Sequence, residues 1–238
     1  MLSSAQYGFQ RGLSTYMALL DMQTSIIEAM DQNKFSLGVF FDLSKAFDTV
    51  DHNILINKLE YFGIRGVGKS WFMDYLTNRS QYVYYKGYAS FTELITCGVP
   101  QGSILGPLLF LLYINDLSTT SRLLKYILFA DDTNVFLSHK SLDHLIEIMN
   151  SELIIIANWF KANRLSLNLE KTNFIVFSSL RKKLSTIKPL YINEIPIIQT
   201  RSSKFLAILF ETASTWSLQV KSHKCSSTMT PRDLDDRA

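Results

Sequence analysis

The chain is poor in cysteine: two in 238 residues, Cys97 and Cys225, far apart and without a CxxC spacing. That excludes a disulfide scaffold and a zinc site of the usual spacing, and it suits a reducing, intracellular compartment, nucleus or cytoplasm. Long hydrophobic runs are absent too. The longest, LLFLLYI at 108–114, is far short of the roughly 20 residues that span a bilayer, so no membrane partner is expected. Nothing at the N-terminus reads as a signal peptide. Neither sign of charge dominates, and a net +3 is too small to identify a polyanionic partner by itself. With 47% hydrophobic and 19% charged residues, the chain can build a core for one or two domains.

Helical and strand patterns alternate without an internal repeat. Residues 16–30 carry apolar positions at helical spacing, and KFSLGVFFDL at 34–43 reads as a buried strand. Asp51 is placed to cap a helix whose Leu55, Leu59 and Phe62 share a face, and the GIRGVG loop separates it from WFMDYL. QYVYYKG and SFTELITCGV read as paired strands around a turn near Gly87. LLFLLYINDL reads as a buried helix whose first turn tolerates Pro107. Ser141 is a candidate cap for a helix with Leu142, Leu145, Met149, Leu153, Ile156 and Phe160 at helical intervals. Residues 172–179 and KFLAILF at 204–210 read as strands, whereas the final segment lacks periodicity and is expected to be disordered.

Against this background, the placement of acid carries the chemistry. GVFFDLSKAFD sets Asp42 at the end of an apolar strand, and LLKYILFADDTNVF sets Asp131 and Asp132 between two apolar runs. An ionised carboxylate buried alone costs several kcal/mol. If the strands lie side by side, three carboxylates converge, and their repulsion calls for a compensating cation. Magnesium favours such oxygen donors, and a pair of ions can activate a hydroxyl and stabilise a leaving phosphate. Asp–Asp is also ordinary turn chemistry, Asp42 alone an ordinary strand end, and Asp48 and Asp51 fit surface or capping positions.

A third motif joins these two. CGVPQGSILGP, residues 97–107, has three glycines and two prolines that restrict the backbone yet leave it bare, as a loop approached by a base or sugar requires. In chain order, FFDLSKAFD, GVPQGSILGP and FADD resemble motifs A, B and C of reverse transcriptases. QYGFQRGLST, DLSKAFDTVDH, GVPQGSILGPLLFLLYINDL and LFADDT are similar to the non-LTR retrotransposon branch, of the jockey or CR1 sort, over residues 6 to about 210.

The resemblance implies an RNA-directed DNA polymerase that transfers dNMP to a primer 3′-hydroxyl, with an RNA template, a DNA primer, dNTPs and two Mg2+ ions, Mn2+ being a substitute. It makes Asp42, Asp131 and Asp132 the metal-binding aspartates, with backbone carbonyls of Phe41 and Leu43 nearby. Phe47 falls at the aromatic steric gate that excludes a 2′-hydroxyl, though its bland alternative is a core ring. Gln101 and Gly102 fall in the loop that positions the nucleotide, with Gly98 and Pro100 beside the nucleic acid. Lys171, in LNLEKTNF, is a candidate to protonate pyrophosphate, or else a solvated surface lysine. Arg11, and more loosely Arg65, Lys69 and Arg79, are candidate phosphate contacts, or scattered surface cations.

The fold so implied is α+β: a right-hand polymerase palm of ferredoxin-like split βαβ form, an antiparallel sheet with helices on one face. The expected division is partial fingers at 1–34, palm with motif A at 35–50, a fingers segment at 51–95, palm with motifs B to E at 96–210, and a divergent tail at 211–238 without a thumb. Departures from the family pattern are Gln10 where arginine is frequent, Ala207 at a usual glycine and Glu211 at a usual aspartate. With Met1 inside the fingers, a truncated, non-catalytic remnant that at most binds nucleic acid is the alternative. A palm enzyme making a cyclic nucleotide ranks below both, because the GVPQGS loop and Phe47 are present.

Overall fold

A computed structural model describes residues 2–179, 182, 187–206 and 208–211; the expected tail beyond 211 and the Ala207 departure lie outside them. Helix α1 (Thr15–Asp31) begins where the extended Ser14 accepts a hydrogen bond from the Met17 amide, and it buries Ala18, Met22, Ile26 and Ala29 along one stripe. Strand β1 (Phe35–Phe41) follows, buried along its whole length, and a 3-10 turn covers Ala46–Thr49. Asp51 caps α2 (His52–Tyr61) by accepting from the Ile54 amide, and α3 (Val67–Leu76) packs beside it. Four two-residue strands, β2 (Ser80–Gln81), β3 (Tyr84–Tyr85), β4 (Tyr88–Ala89) and β5 (Glu93–Leu94), build one exposed hairpin. It turns at Lys86 and Gly87, both at positive φ.

The second half begins with α4 (Leu105–Ile114), then the hairpin of β6 (Lys125–Phe129) and β7 (Asp132–His139), then the long α5 (Leu142–Ala162). Ser141 caps α5 as expected. Strands β8 (Asn173–Phe177), β9 (Leu190–Ile192), β10 (Ile195–Gln199), β11 (Ser202–Phe205) and β12 (Ile208–Glu211) complete the described residues. KFLAILF is therefore not one strand but the two arms of a β11–β12 hairpin. Its apolar run is broken at Leu206, which takes φ +50, a turn conformation that a continuous strand cannot contain.

Six strands form the main sheet in the order β6-β7-β1-β8-β10-β9. The four that carry the sequence motifs are antiparallel, while β10 joins β8 in parallel. Side chains alternate across the sheet with period two. Leu37, Val39, Phe41, Val135, Phe174 and Val176 enter a core with α2, α4 and α5, whereas Phe40, Ile127, Phe136, Ile175 and Phe177 enter a second with α1. The expected palm sheet with its own helices α4 and α5 on one face is present, and α1 covers the other face. Double coverage explains why β1 is apolar at both parities instead of alternating.

Polar pins tie the helices on the larger core. Lys58 of α2 donates to the Tyr113 carbonyl and to Asp116, both at 2.6 Å, and its ammonium lies 4.8 Å from the Trp159 ring centroid. Burial pushes the Lys58 pKa down, against the upward pull of Asp116. The Tyr113 hydroxyl donates to the Asn163 carbonyl at 2.6 Å and accepts from the Asp51 amide at 3.3 Å, joining α4 to the ends of α5 and α2. No helix among the described residues is long and apolar enough to cross a membrane.

Gly38 lies at the centre of β1 because the Phe136 ring lies over it: a Cβ there would meet Phe136 Cε1 at 2.5 Å. Phe136 is itself wedged edge-on against Phe40 at 5.9 Å. Gly38→Ala should therefore overpack this face and cost about 1–3 kcal/mol in urea denaturation. An unchanged midpoint would show that the ring can move aside freely.

Candidate active site

The β6–β7 hairpin closes with Phe129 opposite Asp132, leaving Ala130 and Asp131 as a two-residue loop. Such loops need positive φ, and here an alanine supplies it, at φ +54. On the other side of β7, Phe41 of β1 pairs with Thr133. One further step of that register puts Asp42 opposite Asp132. The sheet thus delivers Asp42, Asp131 and Asp132 to one edge, as the sequence reading required.

Asp42 is braced on its far side. Its amide donates to Thr172 Oγ1 at 3.3 Å, and its carbonyl accepts from the Asn168 amide at 2.8 Å. Leu43 bridges Leu167, and the Ser44 amide donates to the Ser166 carbonyl at 2.9 Å. Neither of these backbone bonds uses the Leu43 carbonyl. The Phe41 side chain is in the core against Phe160, so only its backbone could serve the site. Lys171 is exposed in the turn before β8, next to the fully buried Thr172 that touches Asp42.

The three carboxylates feel one another. Asp132 is pushed up to about 6, first by desolvation and then by the charges of Asp131 and Asp42. Because Asp132 is an exposed residue by surface area, the desolvation is local, and the neighbouring charges are the part that a cation would relieve. The donor set is all hard oxygen, which fits Mg2+. Among the described residues, no three His, Cys, Asp or Glu side chains are already gathered closely enough to hold a metal ion. The backbone register brings the three acids to one edge of the sheet.

The glycine-rich loop is fastened to the segment after β1. Gly98, at φ +88, donates its amide to the Val50 carbonyl at 2.7 Å, and the Val99 amide donates to the Phe47 carbonyl at 2.8 Å. A Cβ at Gly98 would fall 2.8 Å from the Asp48 carbonyl oxygen, so this approach requires glycine. His52 contacts the Gly98 carbonyl at 2.7 Å. Beyond it the loop turns outward: Pro100 is half-buried, Gln101 and Gly102 are exposed, and Gln101 Nε2 donates to Asp48 Oδ1 at 2.7 Å. Phe47 is half-buried and stacks on Phe110, with ring centroids 4.4 Å apart. It thus satisfies the core reading on one face.

The expected phosphate contacts are dispersed. Arg11 and Arg65 are exposed, Lys69 pairs with Glu60 at 2.5 Å, and Arg79 lies over the Tyr75 ring at 5.4 Å. Sequence reasoning assigned no role to Gln6, Thr172 or the Asp48 carboxylate. Gln6 Oε1 accepts from the Ala130 amide, Thr172 holds Asp42, and Asp48 holds Gln101. Each partner lies far away in sequence, and no local pattern encodes such pairings.

A strand and a hairpin bringing acids to one edge of a helix-backed sheet, with a glycine-bearing loop fastened alongside, form a polymerase palm. The chain belongs to the reverse transcriptase (RNA-dependent DNA polymerase) family, whose model matches residues 1–208. It is 30% identical over 225 residues to a probable RNA-directed DNA polymerase from transposon X-element of Drosophila melanogaster, covering 90% of this chain and 24% of that protein. It is 28% identical over 235 residues to a probable RNA-directed DNA polymerase from transposon BS of the same fly, covering 93% and 25%. The chain thus spans about a quarter of the length of these relatives. In fold it resembles telomerase from Candida tropicalis, solved in complex with a TWJ fragment of telomeric RNA. The TM-score is 0.59 at 13% identity, over 95% of this chain and 35% of that one.

Asp132 gives a stability signature with a defined sign. Its raised pKa means that the folded state holds this proton more tightly than the unfolded chain, so the stabilisation is full below about pH 4 and is lost as pH rises through about 6. In metal-free buffer, Asp132→Asn should gain in Tm relative to the wild type across that window. Parallel pH profiles of the two proteins would contradict the electrostatic coupling.

Proposed function

We propose that this chain is the polymerase part of a non-LTR retrotransposon protein, copying an RNA template into DNA by adding dNMP from dNTPs to a DNA primer 3′-hydroxyl. The observation that supports it most directly is the register that sets Asp42 opposite Asp132 beside the Asp131 turn. Asp42, Asp131 and Asp132 would hold two divalent cations, Mg2+ or in its place Mn2+, with the carbonyls of Phe41 and Leu43 close by. Bound there, the cations supply activation of the primer hydroxyl and charge stabilisation of the leaving pyrophosphate.

The remaining work belongs to the chain's own groups. The exposed Gln101 and Gly102 orient the incoming nucleotide, and Gln101 exchanges its bond to Asp48 for that task. Phe47 presents the ring face not covered by Phe110 beneath the sugar, where a 2′-hydroxyl would collide. Lys171 delivers a proton to pyrophosphate. Gly98 and Pro100 shape the floor on which the template lies, and Arg11 contacts its phosphates. Recognition of an A-form hybrid by backbone and shape needs few base-specific groups.

Asp131→Asn should abolish Mg2+-dependent extension of oligo(dT) on poly(A) by the purified chain, measured beside the wild type. Retained extension would sink the metal assignment, and extension by neither protein would favour the non-catalytic reading. In an extending protein, Phe47→Val should raise incorporation of NTP relative to dNTP by roughly tenfold or more, through loss of the clash. An unchanged ratio would make Phe47 a core residue only.

A further inference from the structure

We propose that Gln6 is a positioning residue for the acidic turn, holding the backbone from which Asp131 and Asp132 project. The inference rests on the metal-site reading above and deepens it. Gln6 is 2% exposed, and its Oε1 accepts two backbone hydrogen bonds, from Gly8 at 2.7 Å and from Ala130 at 3.0 Å. Residues 5–7 are laid along β6 by the Tyr7 amide donating to the Leu128 carbonyl and the Leu128 amide donating to Ala5, each at 2.8 Å. The Gln6 carboxamide therefore arrives at the turn on a fixed rail.

Three features separate this from ordinary packing. Gln6 Nε2 is buried without a hydrogen-bond partner, so the side chain is kept in place for its oxygen at the expense of its nitrogen. Gly8 approaches so closely that a Cβ would sit 2.5 Å from the Ala130 nitrogen. Ala130 carries positive φ, a conformation that a non-glycine residue keeps only where its surroundings hold it. A carboxylate would accept the same two bonds, but it would add a further negative charge behind the acids. A neutral amide oxygen avoids this, which gives the choice of glutamine a chemical reason.

Hydrogen exchange and metal binding by the full 238-residue chain test the proposal. In the wild type, the Ala130 amide should exchange as slowly as amides inside β7. In Gln6→Met, which keeps the length but loses the acceptor, Ala130 should exchange at least about tenfold faster while amides of β1 stay protected. Mn2+ affinity read by paramagnetic resonance should weaken by about tenfold, as for groups that orient metal ligands. In primer extension, kcat should fall with little change in KM for dNTP. A fast-exchanging Ala130 amide in the wild type, or unaltered Mn2+ affinity in a folded Gln6→Met, would overturn the proposal. Should Gln6→Met not fold, the wild-type exchange rate decides alone. If Asp131→Asn binds Mn2+ as tightly as the wild type, the metal-site reading fails, whereas the Ala130 exchange result reports separately on the Gln6 contact.

Discussion

The pairing of β1 with β7 is the constraint on which the rest of the molecule depends. A slip of one residue would reverse every side chain of a strand between the two cores, so the register that lands Phe41 opposite Thr133 is enforced along the whole strand by burial on both faces. That apolar matching does electrostatic work. It drives three carboxylates toward one edge against their mutual repulsion, and the Asp132 pKa, raised first by desolvation, is raised further by Asp131 and Asp42. Hydrophobic burial, on the order of 2 kcal/mol for each fully buried large side chain, is ample to hold the acids in an arrangement that they would not choose alone.

Around this edge, the supports come from separate parts of the chain and converge on backbone rather than on side chains. Thr172 and Asn168 hold the main chain of Asp42, Gln6 holds that of Ala130, and Val50 and Phe47 hold that of the glycine loop. Among the described residues, the Asp42, Asp131 and Asp132 carboxylates are left without hydrogen bonds, whereas Gln101 bonds Asp48 and Phe47 stacks on Phe110. Contacts of this kind fix where a group stands without spending its own hydrogen-bonding capacity.

The parts of this design that are local were legible in the sequence. Buried strands, the Asp51 and Ser141 caps, the acidic hairpin and the glycine loop follow from periodicity and turn chemistry over a few residues. The three acids followed because two short motifs point to the same place. What could not be read depends on distant partners: Gln6 on Ala130, Thr172 on Asp42, Asp48 on Gln101. Strands β9 and β10 were missed because LYINEIPIIQT alternates poorly: β10 is mostly exposed, and it is β9 that packs against α5. The break of KFLAILF at Leu206 was hidden because a leucine at positive φ carries no turn signature.

Helix α4 has a property that its sequence, LGPLLFLLYI, makes unavoidable. An amphipathic helix finds its azimuth from water, whereas a rod that is greasy all round has no preferred roll about its own axis. Here the roll is locked by the Tyr113 hydroxyl and by the Lys58 ammonium on the Tyr113 carbonyl, together with Gly106 seated against the Pro100 carbonyl at the opposite end. Turning the rod would swing the loop at its head through an arc. The loop that leads into α4 is thus tied, through that helix, to a tyrosine near its far end and to a lysine of α2, which act as a keyway.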